Sequence, residues 1–233
     1  LAGDGPGVVS FNASPLPRDG VPSLGAGVAV VSPSAVEVRE REGMTLDNGL
    51  LRLAVDDRGR VTSLLDLATG RDAIPPGALG NLLQLHPDFP NQWDAWDIDP
   101  AAFNTVTTLD DGRPELVEAD GGASVVVRRA FGASTAVQTL TVLPGDPRLH
   151  VRVDVDWAER DSLLKLAWPV DVHTDHAAFE IEMGHLVRPT HTNTSWDAHR
   201  FEVHAHRWVH VAEPGFGVAI ANAQTYGWDV TRH

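Results

Sequence analysis

The densest group of acidic and aromatic residues is the stretch HPDFPNQWDAWDID, residues 86–99. In an extended segment alternate side chains share a face, so Asp97 and Asp99 would lie side by side on the same face as Trp93. A retaining glycosidase uses two carboxylates about 5 Å apart, a spacing that a pair two residues apart in an extended chain could in principle meet. The stretch therefore contains the residue types that sugar chemistry needs.

Three interpretations of this stretch stay open. In the first, Trp96 and Ile98 enter the core while the acids accept hydrogen bonds from backbone N–H groups in turns. In the second, the rings and carboxylates line a groove that matches the mixed apolar and polar surface of a sugar. In the third, the acids perform acid–base catalysis by themselves. The candidate sugar contacts here are Trp93, Asp94, Trp96 and Asp97.

Residues 185–210, HLVRPTHTNTSWDAHRFEVHAHRWVH, contain six of the eleven histidines. A strand from Phe201 to Val211 would put His204 and His206 side by side on its polar face, where they could bind a metal together with Glu202. The alternative is that these histidines hydrogen-bond neighbouring acids or pack beneath a loop. Further candidate sugar contacts in this stretch are Arg188, His191, Trp196 and Asp197.

Three arginines of this region, Arg188, Arg200 and Arg207, could clamp carboxylates, although ordinary ion pairing explains them equally well. The chain has no cysteine, which excludes disulfides, thiolate metal sites and cysteine nucleophiles. A phosphate-binding glycine loop, a Gly-x-Ser-x-Gly elbow and a His-Glu-x-x-His motif are all missing from the sequence. The net charge of −14 argues against a nucleic-acid partner.

Apolar residues recur with period 2, which is typical of half-buried strands. In residues 149–157, for example, the pattern assigns Leu149, Val151, Val153, Val155 and Trp157 to a core-facing side. Similar runs occur at 51–55, 125–130, 137–143, 179–183, 201–211 and 216–221. Residues 63–67 form at most a turn, and no long amphipathic helix is predicted. The sequence therefore predicts an all-β fold, a large antiparallel sandwich.

The first forty residues are rich in proline, glycine and small side chains. We predict a short β lead-in or small sheet element over residues 1–42, followed by the sandwich domain over residues 43–233. The chain begins LAGDGPGVVSF and ends YGWDVTRH within a strand-like pattern, so both ends resemble cuts in a longer polypeptide. An open sheet edge at such a cut would favour association between copies. Without a signal pattern or a run of about 20 apolar residues, we expect a cytoplasmic bacterial protein with no membrane partner.

Five long blocks resemble the C-terminal region of glycoside hydrolase family 38 α-mannosidases of the bacterial and fungal cytosolic type. They are LDNGLLRLAVDDRGRVTSLLDLATGRD (46–72), GNLLQLHPDFPNQWDAWDID (80–99), VDWAERDSLLKLAWPVDV (155–172), EMGHLVRPTHTNTSWDAHRFEVHAHRWVHVAE (182–213) and GFGVAIANAQTYGWDV (215–230). The resemblance implies the β-supersandwich shared with galactose mutarotase-like proteins.

The resemblance also implies that the zinc and the Asp nucleophile of the retaining mechanism belong to an N-terminal α/β domain that this sequence does not contain. No catalytic residue, metal ligand or cofactor is therefore predicted in this chain. Its expected partners are that catalytic domain and mannosides. Two alternatives are a free-standing carbohydrate-binding module and a mutarotase-like epimerase that would use His204, His206 and Glu202.

Overall fold

The computed structural model describes residues 9–12, 21–28, 35–40, 43–93, 96–119 and 122–232. Strands dominate these residues, and every strand pairing among them is antiparallel. The strands are β1 (Val9–Phe11), β2 (Ala26–Val28), β3 (Glu37–Glu40), β4 (Met44–Asp47), β5 (Leu51–Val55), β6 (Val61–Asp66), β7 (Arg71–Asp72), β8 (Leu82–Pro87), β9 (Thr107–Leu109), β10 (Arg113–Ala119), β11 (Gly122–Phe131), β12 (Ser134–Val142), β13 (Leu149–Asp156), β14 (Ser162–Ala167), β15 (His176–Ile181), β16 (Gly184–Pro189), β17 (Val203–His204), β18 (Trp208–Glu213), β19 (Phe216–Ala221) and β20 (Gly227–Trp228). The predicted all-β fold is confirmed.

Two sheets form the main sandwich. One has the order β3-β4-β5-β6-β7 and the other the order β10-β11-β12-β13. Alternate apolar residues of both sheets meet in one core, which comprises Leu46, Leu53, Val55, Val61, Ile74, Ala123, Val125, Val127, Leu140 and Val142. The period-2 pattern of the sequence therefore places one face of each central strand in this core.

A three-stranded sheet, ordered β14-β8-β9, packs on the far end of β11 and β12. Their shared cluster consists of Leu83, Leu109, Phe131 and Ala136. This sheet matters for the site because β8 leads directly into the acidic and aromatic stretch 88–99.

The remaining strands form a second body of sheet, ordered β16-β15-β18-β19, with the short pair β17-β20 beside it. Its own core consists of Ala177, Phe179, Ala205, Val209 and Val211. The loop between β16 and β17 contains a single helical turn, α1 (Ser195–Ala198). This loop carries the second candidate stretch.

Three sequence-based expectations need correction. Residues 63–67, predicted as at most a turn, lie largely in strand β6. The predicted continuous strand 201–211 is divided into β17 and β18, because His206 and Arg207 turn to bond Glu180. The predicted core-facing side of residues 149–157 is only half covered, with Val155 40% exposed and Trp157, just after β13, 41% exposed, since β13 is the edge strand of its sheet.

Strand β3 pairs with β4 across the boundary that we placed after residue 42. The division into a lead-in and a sandwich domain therefore stays a prediction. Within the described residues, no helix is long and apolar enough to cross a membrane.

Candidate functional site

The loop that follows β8 is folded back on itself rather than extended. Trp93 has a positive φ of 63°, and its carbonyl accepts hydrogen bonds from the backbone N–H groups of Trp96 (2.7 Å) and Asp97 (3.0 Å). As a result Trp93 is 72% exposed and Trp96 is 91% exposed. The interpretation that Trp96 enters the core is wrong. Asp94 lies outside the described residues.

The acids of this loop satisfy backbone donors. The Asp99 carboxylate caps the 3-10 helix Pro100–Asn104 by accepting a hydrogen bond from Ala101 N at 2.8 Å. The Asp97 carboxylate accepts one from Ile98 N at 3.1 Å. The first interpretation is therefore correct for these two acids, because each accepts a hydrogen bond from a backbone N–H group nearby in the sequence.

The 3-10 helix joins the two candidate stretches. Its Phe103 ring lies 5.5 Å from the ring of His86 and 5.6 Å, edge to face, from the ring of Phe201. His86 is buried, and its Nδ1 lies 3.2 Å and 3.1 Å from the carbonyl oxygens of Ala102 and Thr105. Because both neighbours are acceptors, Nδ1 carries the proton and ties the helix to strand β8.

Lys165, the single lysine of the chain, lies beneath this junction. Its ammonium is 2.7 Å from Glu202 Oε2 and 3.3 Å from Asp229 Oδ2, and it lies 4.6 Å from the centre of the Phe103 ring. Lys165 is not among the site residues that the sequence predicts. The available signal was a charged residue within the apolar run of strand β14.

The loop between β16 and β17 is held by a capping box. The Asp197 carboxylate accepts hydrogen bonds from Thr194 N (3.2 Å) and Thr194 Oγ1 (2.8 Å), while Asp197 N donates to Thr194 Oγ1. The hydrogen bond from the Thr194 hydroxyl lowers the pKa of Asp197. His191 Nδ1 lies 3.7 Å from the same carboxylate, and Trp196 is 76% exposed.

Arg188, His191 and Asp197 line one small cleft of about 40 Å³, together with Arg200 and Trp228. The Arg188 guanidinium stacks 4.7 Å from the centre of the Phe179 ring. Burial lowers the pKa of Arg188, and the positive charge of Arg200 adds to that effect. The structure thus brings three of the predicted site residues together, while Trp93, Trp96 and Trp196 stay on the surface.

The histidine pair lines a separate open groove of about 550 Å³, which also includes Glu182 and Tyr226. His206 Nε2 lies 3.3 Å from Glu182 Oε1, and the rings of His204 and His206 are 6.3 Å apart. Glu202, which would complete the predicted metal or acid–base set, is bonded to Lys165 instead. In the described part of the chain, no group of three or more metal-binding side chains is arranged to hold an ion.

Residues 46–233 match the family described as "Glycosyl hydrolases family 38 C-terminal domain". The chain belongs to this family. Its relatives include human "Alpha-mannosidase 2C1", which is 40% identical over 198 residues, and "Alpha-mannosidase G" of Dictyostelium discoideum, which is 30% identical over 243 residues. These alignments cover 83% and 94% of this chain but only 19% and 22% of the relatives. The chain therefore spans about a fifth of the length of the relatives that it matches.

The family 38 assignment agrees with the observed fold. A crystal structure of an α-mannosidase from Enterococcus faecalis aligns with a TM-score of 0.68 and 14% identity, covering 80% of this chain and 24% of that one. At this level of identity the similarity concerns the fold alone. Both stretches that contain the predicted sugar contacts lie within the matched residues 46–233.

Proposed function

We propose that this chain is the non-catalytic C-terminal β portion of a retaining α-mannosidase of family 38. In this proposal it supports a catalytic α/β domain, where the zinc and the nucleophile reside, and it partly lines the mannoside cleft. The proposal rests on the family match over residues 46–233, together with relatives of which this chain covers only about a fifth. A cytoplasmic location, as predicted from the sequence, is part of the same proposal.

The surface proposed to face the sugar comprises Trp93, Trp96 and Asp97 of the loop after β8, and Trp196 of the loop after β16. Two observations support it. The three tryptophan rings are more than two-thirds exposed, so they are free to pack against the apolar face of a sugar. The contact between Phe103 and Phe201 also links the 3-10 helix that follows the first stretch to the second stretch.

The test compares this 233-residue chain with the longer enzyme, using an aryl α-mannoside as substrate. We expect no turnover by the chain alone and turnover by the longer enzyme. In the longer enzyme, Trp96→Ala and Trp196→Ala should each raise KM about three- to tenfold, the effect of losing one aromatic contact. Tyr226→Ala is the matched control, because Tyr226 is 56% exposed but lines the separate histidine groove. Turnover by the isolated chain would overturn the proposal.

The exposed tryptophans also favour a second candidate function, a carbohydrate-binding module that acts without a catalytic domain. This function predicts that mannose or mannobiose saturably quenches the tryptophan fluorescence of the isolated chain. Saturation that Trp96→Ala or Trp196→Ala abolishes, with Tyr226→Ala unaffected, would favour the module. A linear response identical in all variants would eliminate it.

A further inference from the structure

The cleft between β16 and the β17–β20 pair contains two buried hydrogen-bond donors that lack acceptors. Arg188 Nη1 and Trp228 Nε1 are both inaccessible to solvent, and neither has a hydrogen-bond partner among the described residues. Both side chains line the same cavity. A buried donor without an acceptor is costly, and two in one cavity indicate that something else supplies the acceptor.

The acids beside the cleft are already engaged. Asp197 accepts both hydrogen bonds of its capping box from Thr194. Asp229 forms an ion pair with Lys165 at 3.3 Å. Within the described lining of the cleft these are the two acidic side chains, so the neighbouring carboxylates are committed elsewhere.

Among the described residues, no acidic side chain is paired with Arg188, although Asp197 and Asp229 elsewhere in the lining balance the formal charges of Arg188 and Arg200. Arg200 lines the cleft beside Arg188, and His191 lies on its rim. The face of the Arg188 guanidinium is covered by the Phe179 ring, which is itself 2% exposed, so its hydrogen bonds must be made by the edge. The lowering of the Arg188 pKa by burial and by Arg200 is consistent with a cation that lacks a nearby counter-charge.

The size of the cleft limits what it can hold. Its volume of about 40 Å³ exceeds what one water molecule needs, but it is far below the roughly 300 Å³ of the smallest ordinary ligand pockets. A hexose ring does not fit, whereas a carboxylate group does. A carboxylate also offers two oxygens, so one can accept a charge-assisted hydrogen bond from Arg188 while the other accepts from Trp228.

We propose that this cleft binds a single carboxylate, which accepts hydrogen bonds from Arg188 and Trp228. A neutral mannoside has no such group, so the site goes beyond the function proposed above and does not depend on it. The carboxylate belongs either to a small molecule or to an acidic side chain elsewhere in the parent polypeptide.

The experiment follows the indole N–H resonances of the chain, labelled with ¹⁵N in tryptophan, during titration with sodium acetate. A parallel titration uses sodium chloride at the same sodium concentration. We expect one indole resonance, assigned to Trp228 by its absence in Trp228→Phe, to shift saturably with acetate and not with chloride. Equal responses to the two salts, or no saturable response, would overturn the proposal.

Variants identify the donors. Arg188→Gln should weaken acetate binding at least tenfold. Arg188→Lys keeps the charge but replaces the planar guanidinium that stacks on Phe179, so it should weaken binding several-fold. Arg152→Lys is the control, because Arg152 is exposed on β13 and pairs with Asp154. Circular dichroism melting curves verify that each variant is folded. If Arg188→Gln and Arg188→Lys are both folded and both bind acetate as tightly as the unmodified chain, Arg188 is not part of the site.

The same resonance in the longer enzyme distinguishes the two sources of the carboxylate. An acidic side chain already in the cleft would hold the Trp228 resonance at its acetate-saturated position, and added acetate would not move it. A small-molecule site would respond to acetate in both proteins. In the longer enzyme, the Trp228 resonance could instead stay at its acetate-free position and not move when acetate is added. That result would contradict both sources of the carboxylate.

Discussion

The ammonium of Lys165 and the carboxylate of Glu202 lie 2.7 Å apart, with their side chains only 14% and 17% exposed. Lys165 is on β14, in the sheet that leads into the tryptophan loop, whereas Glu202 directly precedes β17, in the sheet beside the cleft. The pair therefore links the β14-β8-β9 sheet, which leads into the first candidate loop, to the end of the second candidate loop, which precedes β17. The Phe103 ring covers the same ammonium, so the link also includes the 3-10 helix.

The first prediction concerns this ion pair. Lys165→Met removes the ion-pair partner of Glu202 and leaves a largely buried carboxylate uncompensated, which should cost about 3 kcal/mol of unfolding free energy. Adding Glu202→Gln should recover part of that loss, because the uncompensated charge is removed. Urea unfolding of the two single variants and the double variant measures the coupling. If the loss in the double variant equals the sum of the losses in the two single variants, the two side chains do not stabilise the fold as a pair.

A second prediction concerns a polar network inside the main sandwich. Gln138 is fully buried on β12, where its amide donates to Asn81 Oδ1 at 2.8 Å and accepts from Arg129 Nε at 2.9 Å. Gln138→Leu leaves both partners without their hydrogen bonds, so we expect a loss of about 3 kcal/mol in unfolding free energy. Thr139→Val, on the opposite face of the same strand, should change it by less than about 1 kcal/mol. Comparable losses in the two variants would contradict this account.

The sequence predicts several of the strands that bury one face, because burial produces the period-2 pattern. Strands β5, β11 and β12 agree with the predicted runs in this way. Strand β6 escaped prediction because its sequence VTSLLD places Leu64 and Leu65 next to each other, so the alternation is lost.

The candidate site was predictable only in part. The residue types in the two stretches were visible in the sequence, but their arrangement depends on contacts that no local pattern encodes. The Lys165–Glu202 bond spans 37 residues, and the exposure of Trp96 follows from the positive φ of Trp93. The capping box of Thr194 and Asp197 does have a local signature, because an acid three residues after a threonine is typical of a helix start.

The third prediction uses the turn at Gly59. This residue has a φ of +77°, and a Cβ at this position would collide with the side chain of Val127 in the core. Gly145 has a similar φ of +69° but open space around its missing Cβ. Gly145→Ala should therefore cost about 1 kcal/mol of unfolding free energy from backbone strain alone. Gly59→Ala should cost about 1–3 kcal/mol more, because the core must also shift. Thermal or urea unfolding of both variants separates the two contributions. Equal losses of unfolding free energy would show that the Val127 side chain moves aside without a measurable cost.

The fourth prediction is a pH dependence centred on Asp146. Hydrogen bonds from Arg148, opposed in part by burial and reinforced by His150, lower the pKa of this carboxyl well below its ordinary 3.8. A carboxyl whose pKa is lower in the folded state stabilises the fold above its unfolded pKa, and this contribution disappears as the pH falls toward the folded value. Asp146→Asn should therefore reduce the unfolding free energy by about 1–2 kcal/mol at pH 7, and the difference from the unmodified chain should shrink below about pH 4.

Urea unfolding of Asp146→Asn at pH 7, 5, 3.5 and 2.5 measures this difference directly. Asp57→Asn is the control, because Asp57 is exposed in a turn and its substitution should leave the unfolding free energy nearly unchanged. The Asn48 side chain also donates to the backbone carbonyl of residue 146, at 2.7 Å, and this bond does not titrate. A difference between Asp146→Asn and the unmodified chain that is as large at pH 2.5 as at pH 7 would therefore mean that the substitution disturbs the backbone turn rather than removing a charge.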